Sequence, residues 1–322
     1  MSLTIKKEGI LTTVQDLGRV SYRRFGVNPG GVMDRAAVRL INALLANDEN
    51  AAVLEVHFPA GEIRFDRDAS FALGGADFGP TLNGEPISNW RMVFAAKDSL
   101  LRFPSKTSGE RTYLAVRGGF DVPEWLKSKS TNLGAAYGGF EGRRLRSGDV
   151  VGVCERPDEI DVLRSSISPS LIPHYGRFPT VRVVRGGDFE RLTASSQNVF
   201  RRENFVISKD SNRMGFRLRG EPLQQDRPEE MISSAVTFGT IQLLPDGQLI
   251  ALMADQQTAG GYPRIAQVIE RDLPLLAQLG PNDKVAFHEV DLSHAEELAT
   301  EFERDITILR VGVQLHIVRN KL

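Results

Sequence analysis

The chain has 322 residues, 41% of them hydrophobic and 25% charged, a balance typical of globular proteins and a length that favours two cores over one. Forty basic against forty-one acidic side chains give a formal charge of −1, which removes the electrostatic footprint of a general nucleic-acid binder. The single cysteine, Cys154, excludes an intrachain disulfide and any cysteine-built zinc or iron–sulfur site. No apolar run approaches the ~20 residues that span a bilayer, and the N-terminus lacks the apolar core of a secretion signal. The expectation is a cytoplasmic protein with neither nucleic-acid nor membrane partners.

Taken in chain order, the elements are mainly β with a few helices. Residues 68–75 and 112–119 are short apolar or alternating runs bounded by glycine, and Leu82-Asn83-Gly84 and Pro245-Asp246-Gly247 are hairpin turns, so the strands are expected to close as barrels or sandwiches. Asp34 is expected to cap a helix with Ala37, Leu40, Ile41, Leu44 and Leu45 on one face, stopping near Asn47. Serines and prolines over 164–173 interrupt all periodicity and divide the chain into domains 1–172 and 173–322. Residues 248–254 read as a buried strand that runs into the polar, glycine-rich stretch 255–264, with Pro263 at the first turn of a helix and Pro274 restarting it after an Asp272 cap. A last helix is expected from the capping box Ser293-His294-Ala295-Glu296. Beyond it, Val311, Val313, Leu315 and Ile317 alternate like a strand but fit a continued helix equally well.

Chemistry concentrates in four places. In 255–264, a strand, a glycine turn and a helix start would gather free backbone N–H groups and hydroxyls able to hold an anion or an amide, although the glycines also suit a plain tight turn. Gly138-Gly139-Phe140-Glu141-Gly142-Arg143-Arg144, preceded by Lys129-Ser130-Thr131, offers close backbone approach and guanidinium forks. Ser211-Asn212-Arg213-Met214-Gly215 combines an amide and a guanidinium in a turn. Asp255 and Glu55 each follow an apolar run that would partly bury them, which suits either a proton carrier or an acceptor pinning a loop. The five histidines lack metal-ligand spacing, so no metal is expected. There is no GxxxxGK[ST] loop, no GxSxG elbow and no Met-Lys-Met biotin acceptor, so ATP or biotin chemistry would need an unfamiliar pocket or a pocket on another chain.

Together these segments resemble the KipA (PxpC) family, also described as the C subunit of 5-oxoprolinase, allophanate hydrolase subunit 2 or the biotin-dependent carboxyltransferase family. The matching pieces run nearly end to end: residues 11–19, 31–34, 54–55, 118–123, 129–131, 138–143, 211–218, 239–242 and 257–265. The resemblance implies two cyclophilin-like β-barrel domains. It also implies the ATP-dependent opening of 5-oxo-L-proline to L-glutamate, performed with a directly bound KipI-like B subunit and a LamB/YcsF-like A subunit, the chain alone being inactive or weak. One alternative is a carboxyltransferase for urea or a related amide, with biotin carried elsewhere. Another is a regulatory partner of a KipI-like kinase inhibitor.

Each of the two enzyme readings needs an amide held by fixed donors and acceptors. On this resemblance Asn212, Gln242, Gln257 and Thr258, with Gly260, Gly261 and Ser130, are substrate-binding candidates, and Arg213 or Arg143 would meet a carboxylate or phosphate. Asp255 and Glu55 are the catalytic candidates. Asn212, Gln242 and Thr258 are expected to converge on one hollow at the mouth of the C-terminal barrel. The sequence departs from many relatives in having Ala235, Gln256 and Ala259 where Glu, Arg and Thr are common.

Overall fold

The computed structural model describes residues 2–154, 165–227 and 231–319. Its contacts fall into two compact units: Met1–Gly18, Asp34–His174 and Glu303–Leu322 form the first, and Arg19–Met33 with Tyr175–Phe302 the second. The main change of unit therefore comes at 174/175, beside the serine- and proline-rich stretch, whereas two shorter segments cross over where the sequence carries no signal. Arg164, at the edge of that stretch, lies outside the described residues.

In the first unit the strands are β1 (Ser2–Lys7), β2 (Thr12–Gln15), β3 (Val53–His57), β4 (Glu62–Phe65), β5 (Ala69–Asp77), β6 (Thr81–Leu82), β7 (Glu85–Pro86), β8 (Met92–Ala95), β9 (Leu100–Arg102), β10 (Ser108–Val116), β11 (Phe120–Asp121) and β12 (Val150–Val153). They form a seven-stranded sheet, β11-β12-β1-β4-β9-β6-β7, and a five-stranded sheet, β2-β3-β10-β5-β8. Alternation sends Leu3, Phe65 and Val151 from the first sheet and Leu54, Phe71 and Leu114 from the second into one core. Asn83 and Gly84 turn β6 into β7 with φ of 54° and 90°, the left-handed pair a two-residue hairpin demands.

Helix α1 (Arg35–Leu44) packs on β5 and β10, and the Asp34 carboxylate caps it by accepting the Ala37 N–H at 2.9 Å. Gly74 on β5 has no alternative there, because a Cβ would meet the Ile41 side chain at 2.7 Å.

The second unit is a closed barrel of seven strands, β13 (Thr180–Arg185), β20 (Arg264–Val268), β17 (Thr240–Leu243), β18 (Leu249–Leu252), β15 (Gly215–Arg219), β14 (Phe205–Ile207) and β21 (Lys284–Glu289) in that order around the wall. Closure removes the free edges that such short strands would otherwise expose. Ile241, Ala251, Phe216, Leu249 and Leu218 face inward, and the residues between them, Gln242, Ile250 and Arg217, fall on the outer face. The Pro245-Asp246-Gly247 turn joins β17 to β18, with Leu244 N–H donating to Gln248 C=O at 2.8 Å. Outside the wall a two-stranded ribbon pairs β16 (Ser234–Ala235) with β19 (Ala259–Gly260). Three further helices follow α1 among the described residues: α2 (Ala194–Arg202), α3 (Leu273–Ala277) and α4 (Leu292–Arg319).

The mainly-β reading with few helices holds, and three local expectations need correction. Pro263 begins no helix: residues 264–268 are strand β20, paired with β13 and β17, because their buried pattern suits a ladder and Pro is also tolerated where a strand starts. The last helix is capped by Asp291, whose carboxylate accepts the His294 N–H at 2.7 Å, so Ser293 lies inside it. That helix continues through residues 311–317, with Val313 and Ile317 buried and Val311 and Leu315 exposed. Asp272 caps nothing by its side chain and instead forks onto Arg182 at 2.9 and 2.6 Å.

Candidate functional site

The end of β18 leads into a buried polar arrangement. Asp255 takes Arg213 in a bidentate pair, Nε to Oδ2 at 2.9 Å and Nη2 to Oδ1 at 3.0 Å, and both side chains are nine-tenths buried. Arg213 Nη2 also donates to Gly31 C=O at 2.5 Å, and Asn28 Nδ2 to Asp255 C=O at 3.2 Å. The Asp255 N–H returns to Arg213 C=O at 2.8 Å, so the main chains of the two residues are tied as firmly as their side chains. Both Asp255 oxygens are committed, which makes this carboxylate an anchor for the segment that follows.

That segment, 256–263, runs from Asp255 along the outer face of the barrel to β20. Gln242 lies beneath it, fully buried, donating from Nε2 to Tyr262 C=O at 3.1 Å. A Cβ on Gly260 would come within 2.9 Å of that Nε2, so the glycine is needed for close approach rather than for an unusual φ. The Gln242 Oε1 is buried and has no hydrogen-bond partner among the described residues. Gln257 is exposed and Thr258 half-buried, the latter's C=O accepting the Val236 N–H at 3.2 Å. Gly261 borders Met231 C=O and the Ser233 hydroxyl.

Asn212 belongs elsewhere. It is exposed in the β14–β15 turn, where its Oδ1 accepts the Met214 N–H at 2.8 Å. The structure thus brings Arg213 to Asp255 and Gln242 to Gly260, but makes no hydrogen bond between the side chains of Asn212, Gln242 and Thr258. Gln242 faces outward from the wall rather than into a barrel mouth. Nor does a helix start after Pro263, so no helix N-terminus supplies donors there.

In the first unit Glu55 on β3 is fully buried and accepts the Tyr113 hydroxyl at 3.0 Å, the residues standing opposite each other in the β3–β10 register. The same phenol oxygen accepts the Asp34 N–H at 2.9 Å. Burial first, then the Glu55 and Asp34 charges, push the Tyr113 hydroxyl well above its ordinary pKa. His57 Nε2 lies 3.7 Å from the other Glu55 oxygen.

Ser130 is also fully buried: its hydroxyl donates to Asp16 Oδ1 at 2.6 Å, an oxygen that also accepts from Ser128 Oγ and the Gly18 N–H, while the Lys129 N–H donates to Oδ2. Arg143 is spoken for by Asp149, at 2.6 and 3.0 Å, and by Glu141 at 2.7 Å. Those bonds raise the guanidinium pKa and hold the Asp149 carboxyl below the usual aspartate range. Tyr113, Asp16 and Asn28 are the partners that sequence reading missed. Asp16 lies inside the motif 11–19, so proximity to a recognisable motif was the one available signal.

Two of the three departures from the family pattern are structural neighbours, since Ala235 and Ala259 stand directly opposite in the β16–β19 ribbon. Side chains at such positions touch, so exchanging one changes what the other must fit. Among the described residues no group of three or more His, Cys, Asp or Glu is arranged to hold a metal ion.

The family model for the carboxyltransferase domain, subdomains A and B, matches residues 25–289. The chain belongs to this carboxyltransferase-domain family. It is 38% identical over 292 residues to the C subunit of 5-oxoprolinase from Haemophilus influenzae, covering 90% of this chain and 92% of that one. Against the C subunit of the Escherichia coli 5-oxoprolinase it is 36% identical over 304 residues, covering 94% and 96%. The urea amidolyase of Saccharomyces cerevisiae is 31% identical over 323 residues, which is 95% of this chain but 17% of that one. The crystal structure of Kluyveromyces lactis urea carboxylase superposes with a TM-score of 0.90 at 27% identity, covering 97% of this chain and 29% of that one.

Proposed function

We propose that this carboxyltransferase-domain protein is the C subunit of an ATP-dependent 5-oxoprolinase, opening 5-oxo-L-proline to L-glutamate together with A and B subunits. The observation that carries the reading is reciprocal coverage: the two relatives named as C subunits of 5-oxoprolinase match this chain over 92% and 96% of their own lengths. In the urea amidolyase the matching part is 17% of the protein.

A lactam is an unreactive carbonyl, so ring opening needs its oxygen polarised and its ring held against an activated water or phosphate. In this reading the Arg213–Asp255 pair and Gln242 position the 256–263 segment and do not touch the reacting atoms. Gln257 and Thr258, whose side chains are exposed or half-buried on that segment, are the groups offered to the amide. ATP binds with the partner proteins: a KipI-like B subunit docks directly, and the enzyme is completed by a LamB/YcsF-like A subunit. The test is reconstitution: ATP-dependent release of glutamate from 5-oxoproline by the three chains together and not by this chain alone.

A second reading, carboxyl transfer from biotin to urea or a related amide, is favoured by the structural match to urea carboxylase. Urea-dependent loss of the carboxyl group from free carboxybiotin, with no glutamate released from 5-oxoproline, would select it.

A further inference from the structure

Helix α4 carries two apolar rows where a surface helix needs one. From Glu303 onward it belongs to the first unit, and there Ile306, Val313 and Ile317 are buried. Ion pairs hold that side in place: Arg39 forks onto Glu303 with both contacts at 2.6 Å, and Arg310 Nη1 meets Glu49 at 3.2 Å. On the reverse side of the helix lie Ile308, Val311, Leu315 and Val318, exposed by 62%, 52%, 65% and 56%. Their spacing of 3, 4 and 3 residues is the a/d seam of a paired helix, sustained over about 15 Å. One exposed Leu or Val needs no explanation, but four in a line do.

Further features of the helix say what covers this row. Residues 311–318 contain no Asp, Glu, Lys or Arg, so nothing in that stretch repels a copy of itself. Gly312 lies beside the row, between Ile308 and Leu315, and a Cβ there would meet nothing within 4 Å in the chain. Glycine is a poor helix former, so in mid-helix it weakens α4 with no return inside the chain, whereas it suits the close approach of a second backbone. Direction follows from charge. Arg304 and Glu301, both exposed, continue the row toward the N-terminus. Parallel helices would set Arg304 on Arg304 and Glu301 on Glu301 of a second copy, like against like. An antiparallel pair, with its two-fold axis at the level of Val313, sets Ile308 against Val318 and Val311 against Leu315 and leaves those charges beyond the seam. Such a contact is isologous and closes at two copies.

We infer that the outer face of α4 is a homodimer interface, in which Ile308, Val311, Leu315 and Val318 pair antiparallel with the same row of a second copy. Four apolar side chains from each copy make a small contact of the weak class, so the dimer should form at high micromolar concentration. The interface is separate from the lactam chemistry proposed above and does not depend on it.

The test is sedimentation equilibrium of the full chain from about 10 µM to about 1 mM, without nucleotide or other proteins. The expected result is a concentration-dependent shift from monomer to dimer. Val311→Lys and Leu315→Glu should each weaken the dimer by about tenfold or more while the thermal midpoint is retained, because both sites are exposed. Mixed one to one, these two variants should pair again, since only the antiparallel register brings residue 311 of one copy to residue 315 of the other. Gly312→Gln should weaken the dimer while raising the midpoint of the dilute chain. A parent chain that stays monomeric throughout, the face then being left to another protein, would overturn the proposal. Self-association unchanged by the variants, or a mixture that fails to pair, would overturn it too. Because neither ATP nor partner proteins are present, these outcomes are independent of whether the chain serves a 5-oxoprolinase.

Discussion

Arg213 and Asp255, 42 positions apart in sequence, meet in a bidentate ion pair from which water is nearly excluded. A buried pair of this kind contributes little net stability relative to an apolar substitute, but breaking it strands a charge. Asp255→Ala should therefore lower unfolding free energy by about 3–5 kcal/mol, and Arg213→Met/Asp255→Leu together should cost clearly less. Urea unfolding of the single and double variants checks this, and a double-variant loss equal to the sum of the two single losses would show that the two side chains act independently.

Gly260 approaches Gln242 closely enough that a methyl group would displace the buried carboxamide from Tyr262. Gly260→Ala should cost about 1–2 kcal/mol, and Gln242→Ala in the same chain should remove most of that penalty. A double-mutant cycle in thermal unfolding reads the coupling directly.

Tyr113 bridges the Glu55 carboxylate and the Asp34 N–H at the start of α1. With its hydroxyl pushed well above the ordinary tyrosine range by burial and by the Glu55 and Asp34 charges, this phenol should ionise only when the fold opens at high pH. Ultraviolet titration should show a late, unfolding-linked step that is absent from Tyr113→Phe.

Acid stability follows from Asp149. The Arg143 hydrogen bonds hold its carboxyl below the ordinary range, so on acidification the unfolded chain takes up the proton first. The contribution is complete above the unfolded aspartate value of about 3.9 and disappears as pH falls through the lower folded value. The stability gap between the parent chain and Asp149→Asn should thus be constant near neutrality and close below about pH 4. A gap unchanged at pH 3 would contradict the assignment.

How much was legible depends on whether the determining contacts were local. The Asp34 cap, the Asn83-Gly84 hairpin and the Pro245–Gly247 turn were all readable because each feature is settled within a few residues. Pro263 was misread because proline suits a helix start and a strand start alike, and only pairing with β13 and β17 decides between them. Residues 311–317 presented a period-two pattern whose alternate members also share a helix face. The partners of Asp255, Glu55 and Ser130 were beyond reach, since Arg213, Tyr113 and Asp16 arrive from distant strands and turns. For the same reason the outward direction of Gln242 became evident only once Ile241 and Leu243 were seen in the core.

In the proposed reading Thr258 and Gln257 are offered to the amide, so in the reconstituted enzyme Thr258→Val should lower kcat/KM by roughly 10²-fold while leaving the thermal midpoint of the chain unchanged.

The most direct test of the functional account is glutamate release from 5-oxoproline and ATP, measured for this chain alone, for the A and B subunits alone, and for all three together. The expected result is turnover only when all three are present. Full turnover by this chain alone, or by A and B without it, would contradict the account.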